Sequence, residues 1–481
     1  MTRTFLVFIF LIFSYIELSF LTYYFQIKEY RFDRLISFLR EKGILYFLFP
    51  EKIYLPKKSV RNRNIFIIHT LIVLSYFIFT FTFFKNIPLL ICALMLTPVI
   101  TVLTVIVGVL YTGTIVKRKR GDIIKQASDM IKESKAVFIG VTGSFGKTST
   151  KEFLYKILSS SFKVGKTDEN QNTDIGVAMS VTKNLKEDTD YFIFEVGAYK
   201  IGEIRDIVHW IKPTFGILTG LGNQHLSLFG SQENLIKAKS ELLEVLPNDG
   251  CAYINKDCLG YEKVLDTVKC RSVLYSGTDS NADVFIKKYT KPPTSDSFDV
   301  TISCGGEDIN FVSDLIGRHN IVNLLPCIAL SLDLGIKKDV VKEELESLDQ
   351  VIGKLSTHIG LNGAKFLNDG YSSNVDGFLS AIDVVQQIKG GKKIIITKGV
   401  IELGKDMESS YKKILNASNK DNLKILTTDR FLKKLDTNST VSIFRSEKTI
   451  FNYLKKEVGK EDIILIEGRF SGKFLSKLEL K

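Results

Sequence analysis

The segment Gly140–Glu152 carries the residue types that bind nucleotide phosphates. It follows an apolar run and precedes a helical pattern, which predicts a strand, a glycine-rich turn and a helix N-terminus. Backbone N–H groups and the helix dipole of such a turn face an anion. Lys147 can then reach the terminal phosphates, and the Thr148 hydroxyl can ligate Mg²⁺. The strict motif has glycine where this chain has Val141, and a glycine-rich loop without phosphate is the alternative.

Two more candidate side chains follow strands of the same predicted sheet. Glu195 lies near the end of the apolar strand 191–196, and His225 comes after the strand 215–219. Ligands of open parallel sheets bind at the carboxyl ends of the strands. We therefore expect both side chains to face the phosphate loop as metal ligands. A plain strand-end glutamate and a structural or solvated histidine are the alternatives.

Lys239 lies in a predicted amphipathic helix over residues 234–246. At about 100° per residue, Lys239 falls in the middle of the leucine-rich face, whereas Lys237 falls on the solvent side. A lysine directed into a core is costly unless it has a partner or a lowered pKa. The pattern favours a functional lysine over one that extends its amine back to solvent.

The first 120 residues predict a membrane anchor. Three apolar stretches are long enough to cross a bilayer, at residues 4–25, 65–84 and 88–113. Basic residues fill the segment between the first two spans and directly follow the third, and such segments stay cytoplasmic. We expect a multi-pass protein of the cell (inner) membrane, with everything after residue 114 in the cytoplasm. A cleaved signal peptide and a buried hairpin are the alternatives.

Charge and cysteine content exclude two other classes of function. Residues 1–120 contain 16 Lys/Arg and 5 Asp/Glu, so they supply +11 of the total charge of +12. The nearly neutral remainder argues against a nucleic-acid partner. The six cysteines form no C-x-x-C pair, which argues against a zinc site or a disulfide framework.

From about Gly121 onwards, short apolar strands alternate with helical patterns, which predicts an α/β fold with parallel sheets. We expect a central P-loop domain over residues 121–348, with an antiparallel excursion in residues 280–315. A second strand–helix series predicts a smaller Rossmann-like C-terminal domain over residues 349–481. The predicted strands of the two domains are 137–141, 191–196, 215–219, 251–254, 283–288, 297–303, 308–313, 364–368, 393–397, 423–427, 441–444 and 462–466.

Seven motifs make residues 121–481 resemble the Mur ligases, the ATP-dependent amide-bond ligases of cell-wall peptide synthesis. They occur in the family's order and lie at residues 141–152, 170–176, 195–198, 237–241, 317–323, 369–374 and 402–404. The resemblance implies formation of an acyl-phosphate on a substrate carboxylate, then attack by an amine. The implied partners are a small-molecule or lipid-linked carboxylate acceptor, an amino acid or dipeptide amine, and the membrane.

The resemblance also implies ATP and Mg²⁺ as cofactors and assigns roles to individual positions. Residues implied to bind ATP are Thr142, Gly143, Ser144, Gly146, Lys147, Thr148, Asn320 and Asn323 (near adenine), Lys354 and Asp369 (near ribose). Implied metal ligands are Thr148, Glu195, His225 and Lys239, the last as the family's CO₂-derived carbamylated lysine. Lys147, Lys239 and His225 would be catalytic. Residues implied near the substrates are Asn170, Asn172, Tyr371 and Asn374.

Three departures from the family pattern accompany these matches. Gly353-Lys354 stands where the family has Gly-Arg, and Glu467-Gly-Arg469 stands where it has Lys-Gly-Ser. Membrane spans also replace the domain that grips a UDP-sugar. A ligase of the poly-γ-glutamate or folylpolyglutamate type and a non-catalytic ATP-binding membrane scaffold are the alternative functions.

Overall fold

The computed structural model describes residues 2–28, 30–32, 34–36, 38, 55–169, 171–222, 229–292, 297–351, 355–370, 375–400, 403, 407–419 and 423–479. The chain separates into two compact units, Met1–Ile123 and Ile124–Lys481. The domain boundaries expected after residues 120 and 348 stay predictions.

The first unit contains the three apolar stretches as helices, each long and apolar enough to cross a membrane. The helices are α1 (Thr2–Ile27), α2 (Val60–Phe83), α3 (Ile87–Leu94) and α4 (Thr97–Glu133). The third stretch is interrupted at residues 95–96, where the sequence analysis expected one continuous span. Pro98 accounts for the break, because it has no N–H to donate to the Leu94 carbonyl oxygen and its ring would clash with that carbonyl in a continuous helix.

The spans of this unit pack around a shared interior. Buried apolar side chains come from α1, α2 and α4, among them Leu18, Ile65 and Val105. Polar contacts join the same helices, since His69 Nδ1 lies 2.7 Å from Thr104 Oγ1. This contact joins α2 to α4 in addition to the apolar packing.

The second unit begins with a nine-stranded sheet in the order β2-β3-β1-β4-β5-β6-β7-β8-β9. Pairs from β2 to β7 are parallel and the last two pairs are antiparallel, which confirms the predicted excursion. The strands are β1 (Val137–Thr142), β2 (Val164–Lys166), β3 (Tyr191–Glu195), β4 (Phe215–Leu218), β5 (Cys251–Asn255), β6 (Arg271–Ser276), β7 (Val284–Thr290), β8 (Phe298–Cys304) and β9 (Glu307–Ser313).

Helices cover this sheet and form its main core with the buried strand residues. The α5 helix packs against α10 and contributes Phe153, Leu154, Ile157 and Leu158 to that core. The helices are α5 (Lys147–Ser159), α6 (Asp174–Asn184), α7 (Glu203–Ile211), α8 (Gln232–Ser240), α9 (Tyr261–Leu265), α10 (Arg318–Asp333) and α11 (Lys338–Glu346).

A second sheet of six strands follows, in the order β10-β11-β15-β12-β13-β14. All pairs are parallel except β10 with β11. The elements are β10 (Ser356–Ile359), β11 (Lys365–Asp369), α12 (Val375–Gln387), β12 (Lys393–Thr397), α13 (Met407–Ser418), β13 (Lys424–Thr427), α14 (Arg430–Leu435), β14 (Val441–Ile443), α15 (Glu447–Glu457), β15 (Ile463–Glu467) and α16 (Gly472–Lys477). The α/β fold class is therefore confirmed.

Candidate active site

The predicted phosphate loop joins β1 to the N-terminus of α5. Gly143 and Gly146 both have positive φ, +151° and +78°, a region that side chains with a Cβ rarely adopt. A Cβ on Gly146 would lie 2.4 Å from Asn323 Oδ1, and one on Gly143 would lie 2.1 Å from Thr219 Oγ1. Both positions therefore require glycine, for conformation as well as for space.

Lys147 is the first residue of α5 and its ammonium folds back over the loop. Its Nζ donates to the carbonyl oxygens of Gly143, at 2.8 Å, and Ser144, at 3.4 Å. The side chain is thus held beside the helix N-terminus, where backbone N–H groups point outwards. This arrangement suits an anion with several oxygens, such as a nucleotide phosphate.

Glu195 lies at the carboxyl end of β3, directly beside β1. It pairs in register with Val141 and is 4% exposed. Its Oε2 accepts a hydrogen bond from Thr148 Oγ1 at 2.9 Å, and its Oε1 accepts one from Asn172 Nδ2 at 3.1 Å. A buried carboxylate is therefore fixed next to the hydroxyl of the phosphate loop.

The Thr148 and Glu195 oxygens fit a magnesium ion. Mg²⁺ prefers oxygen ligands and is usually bound by one or two carboxylates together with substrate phosphates and waters. Among the residues that the structure describes, no group of three His, Cys, Asp or Glu side chains could hold a metal by itself.

Lys239 lies on the buried side of α8, as the helical pattern predicted. It is 4% exposed, whereas Lys237 of the same helix is exposed. Burial and, to a smaller extent, the positive charge of Lys147 lower the pKa of the Lys239 amine to about 7. The carboxylates of Glu203, Glu195 and Glu241 act in the opposite direction. A neutral, nucleophilic amine is therefore available close to neutral pH.

Lys151 is a buried lysine that the sequence analysis did not single out. Its Nζ donates to the Thr167 carbonyl oxygen at 2.8 Å and lies 3.3 Å from Glu152 Oε1. The Thr167 hydroxyl in turn accepts the backbone N–H of Glu195 at 3.1 Å. Lys151 thus supports the segment that positions the candidate metal ligand.

Lys151 lies on the apolar face of α5, which the spacing of the helix residues predicts. At about 100° per residue, it falls within about 60° of Leu154 and about 20° of Leu158, two fully buried residues of the same helix.

The two predicted asparagines of α10 are both buried, at 2% for Asn320 and 7% for Asn323. Asn320 Nδ2 donates to the Ile316 carbonyl oxygen at 2.8 Å. Asn323 lies against Gly146 of the phosphate loop. The structure therefore brings Asn323 to the loop, and the adenine-binding role of both residues stays a prediction.

Asp369 lies at the carboxyl end of β11 and is 7% exposed. It pairs in register with Glu467 of β15, a fully buried carboxylate. Its place near the ribose stays a prediction.

Comparison with known proteins decides the family. Residues 141–331 match the family model of the Mur ligase middle domain. UDP-N-acetylmuramoyl-tripeptide–D-alanyl-D-alanine ligase of Escherichia coli (strain K12) is 29% identical over 333 residues, which are 68% of this chain and 72% of the relative. The enzyme of the same name from Bacillus subtilis (strain 168) is 26% identical over 341 residues, with the same two shares. The matched region, residues 141–331, belongs to the Mur ligase family.

Solved structures of this family share the fold. MurF from Acinetobacter baumannii has a TM-score of 0.68 at 22% identity, over 75% of this chain and 81% of that one. MurF ligase from Thermotoga maritima, solved in complex with ADP, has a TM-score of 0.67 at 20% identity, over 75% and 83%. The Mur ligases are ATP-dependent peptide ligases, and this membership agrees with the phosphate loop.

The matched Mur ligase segment contains the residues that the structure gathers at the loop, including Glu195, Lys239 and Asn323. Five other predicted site residues lie outside the described residues and stay predictions for that reason: Asn170, His225, Lys354, Tyr371 and Asn374. Among the described residues, the phosphate loop is therefore accompanied by Glu195, Asn172, Lys239, Asn323 and the supporting Lys151.

Proposed function

We propose that this protein is a membrane-anchored, ATP-dependent ligase that joins an amine to a carboxylate in the synthesis of a cell-wall peptide or a related polymer. The observation that carries the proposal is the buried Lys239 amine, whose pKa responds to Lys147 of the phosphate loop and to Glu195 of the neighbouring strand. Glu195 in turn accepts a hydrogen bond from Thr148 of the loop. A phosphate loop alone is common to many nucleotide-binding proteins, whereas this buried lysine needs a chemical reason.

The residues of the loop bind and orient the ATP phosphates. The N-terminus of α5 directs its N–H groups at them, and Lys147 exchanges its loop carbonyl partners for phosphate oxygens. Thr148 and Glu195 are the ligands that would hold Mg²⁺, which when bound neutralises charge on the transferring phosphoryl group. Positioning and electrostatics then supply most of the rate enhancement.

The proposed reaction has two balanced steps. A carboxylate oxygen of the acceptor attacks the γ-phosphorus, the bond to the β-phosphate oxygen breaks, and ADP leaves. The neutral amine then attacks the acyl carbon, phosphate leaves with the C–O bonding pair, and the amine loses a proton to solvent. Each amide bond therefore consumes one ATP and yields one ADP and one phosphate.

Lys239 is proposed to act as a carbamate. Its neutral Nζ attacks the carbon of CO₂, an N–C bond forms, and the nitrogen releases a proton to solvent. The product carries two oxygens in place of an ammonium, so that it can serve as an oxygen ligand for a metal. The lowered pKa supports this role, because only the neutral amine reacts.

The relatives suggest the first substrates to test. Their names specify D-alanyl-D-alanine as the amine and UDP-N-acetylmuramoyl-tripeptide as the acceptor. We propose a dipeptide or amino acid amine and a soluble or lipid-linked carboxylate for this chain. Membrane anchoring through the three apolar helices, with the ligase region in the cytoplasm, is part of the same proposal.

The test is amine-dependent release of ADP by the full chain, purified in detergent and supplied with ATP, Mg²⁺ and wall precursors. D-alanyl-D-alanine and glutamate are compared as amines, since glutamate is the amine expected of a poly-γ-glutamate or folylpolyglutamate type of ligase. ATP binding without ADP release under every combination would refute the ligase proposal and favour the scaffold.

A further inference from the structure

One end of the three-span bundle carries a dense group of basic side chains, which we call the basic collar. It consists of Lys57, Lys58, Arg61, Arg63, Lys117, Arg118, Lys119 and Arg120. All except Arg61 are exposed, and Arg61 is half-buried. Although residues 57–63 and 117–120 are distant in sequence, the fold of the first unit brings them to the same end.

Arg61 connects the two basic segments. Its Nε donates to Thr112 Oγ1 at 3.1 Å, and its Nη2 donates to the Val109 carbonyl oxygen at 3.2 Å. These contacts place the start of α2 against α4 about one to two turns before Lys117. The guanidinium also lies over the ring of Tyr30, with its Cζ 3.9 Å from the ring centroid. A cation held in this way has one orientation rather than many.

The segment before α2 is also fixed. The Lys57 N–H donates to Gln26 Oε1 at 2.6 Å, and the Lys57 carbonyl oxygen accepts from Asn62 Nδ2 at 2.8 Å. The Tyr30 hydroxyl donates to Asn62 Oδ1 at 2.5 Å. Residues after α1 and at the start of α2 thus form one hydrogen-bonded network beneath the basic side chains.

Membrane orientation alone does not account for this network. The preference of basic segments for the cytoplasm depends on the number of Lys and Arg near the span ends, and it requires no fixed guanidinium. Lys57, Lys58, Arg63 and Lys117 are exposed to solvent. Their side chains are therefore accessible to a further partner.

We propose that the basic collar binds the phosphate headgroup of an anionic membrane lipid, with Arg61 as its oriented donor. The planar guanidinium can donate two parallel hydrogen bonds to phosphate oxygens, and each further Lys or Arg near an anionic surface strengthens binding by about fivefold. The collar lies where the spans leave the hydrocarbon, which is the depth of lipid headgroups. The inference rests on the proposed membrane topology and not on the ligase activity.

The test is a titration of the full chain, in a neutral detergent, with phosphatidylglycerol in mixed micelles. Phosphatidylcholine and inorganic phosphate are titrated in parallel, and bound lipid phosphorus is measured after removal of free micelles. We expect saturable binding of phosphatidylglycerol, at least tenfold weaker binding of phosphatidylcholine, and no displacement by an equal concentration of inorganic phosphate. Equal binding of the two lipids, or displacement by phosphate, would overturn the assignment to an anionic lipid.

Charge variants provide the matched comparison. Arg61→Gln should weaken phosphatidylglycerol binding at least tenfold, and Arg61→Lys should lie between this variant and the unaltered protein. Lys85→Gln removes one exposed charge from the link between α2 and α3, at the opposite end of α2, and should change binding less than twofold. Equal effects of Arg61→Gln and Lys85→Gln would contradict the role of Arg61.

Two further variants separate this site from folding and from turnover. If Arg61→Gln fails to fold, the double variant Lys117→Gln/Lys119→Gln decides, because both side chains are exposed. It should lose about 25-fold in affinity, at about fivefold per charge, and unchanged affinity would refute the collar. Glu195→Gln should bind the lipid normally even without ADP release, so failure of the ligase proposal and failure of the lipid site give different results.

Discussion

Replacement of Lys239 by alanine tests the central feature of the proposed site. The substitution removes the amine and leaves the phosphate loop, Thr148 and Glu195 in place. We expect ADP release to fall at least 100-fold, because the proposed carbamate can no longer form. Short carboxylic acids such as acetate or propionate should restore part of the activity by supplying the missing oxygens. Lys237→Ala, on the exposed side of the same helix, should retain full activity.

The pKa of Lys239 sets the size of a second effect on the unaltered protein. With a pKa of about 7, roughly half of the amine is neutral at pH 7 and about nine-tenths at pH 8. An ordinary lysine with a pKa of about 10.4 is neutral in fewer than about one molecule in a thousand at pH 7, and this fraction rises about tenfold per pH unit. Formation of the carbamate should therefore rise only about twofold between pH 7 and pH 8.

The assay is recovery of ADP release after CO₂ has been removed and then restored. Dissolved CO₂ is held constant across the pH series, so that only the amine titrates. A rate of recovery that rises about twofold from pH 7 to pH 8, and falls about fivefold from pH 7 to pH 6, fits the buried amine. A tenfold rise per unit throughout would show an ordinary lysine. Full activity of Lys239→Ala without added acid would refute the carbamate role altogether.

Lys239 also makes stability depend on pH. Its pKa in the folded state is lowered, so protonation of the amine opposes folding. The thermal stability of the unaltered protein should therefore rise between about pH 7 and pH 10 relative to that of a Lys239→Met variant. The measurement is the difference between the thermal midpoints of the two proteins at each pH. Asn172→Ala removes a hydrogen bond to Glu195 and should weaken the apparent Mg²⁺ affinity about 10–100-fold, measured from the Mg²⁺ dependence of ADP release. Lys151→Met leaves the Thr167 carbonyl without its buried donor. The free energy of unfolding, measured with denaturant, should fall by about 1–3 kcal/mol, and the Mg²⁺ concentration required for ADP release should rise. A loss of stability with an unchanged Mg²⁺ requirement would exclude the positioning role of Lys151. Gly146→Ala should abolish ATP binding in a direct titration, because its Cβ meets Asn323, whereas Gly335→Ala has similar φ and nothing within 4 Å and should bind ATP normally.

Features of the site that arise from one element were predictable from the sequence. Burial of Lys239 followed from its place on a helix with a leucine-rich face, since helical periodicity determines which side chains point inwards. The position of Glu195 beside the loop followed from its place at a strand end in a parallel sheet. In both cases the position of the residue within one helix or one strand determines the direction in which its side chain points.

Features that depend on pairing between distant segments were not predictable in this way. The sequence analysis missed β2, β6 and β10, and the antiparallel pairing of β10 with β11 is invisible in either strand alone. A strand pattern gives the alternation of side chains but not the direction of its neighbour. The support of Glu195 by Lys151 through Thr167 has the same origin, because it requires the end of β2 to lie beside α5 and β3.

The charges around Lys239 show why its chemistry needs the assembled fold. Four segments contribute to its pKa: Lys147 lowers it, while Glu195, Glu203 and Glu241 raise it less than burial lowers it. Carbamylation would change the group from a potential cation to an anion, and each of these interactions would then reverse in sign. Lys147 would attract it and the three carboxylates would repel it, in a site that water scarcely reaches. A buried carbamate among three carboxylates needs a further cation, so binding of CO₂ and binding of Mg²⁺ should each favour the other.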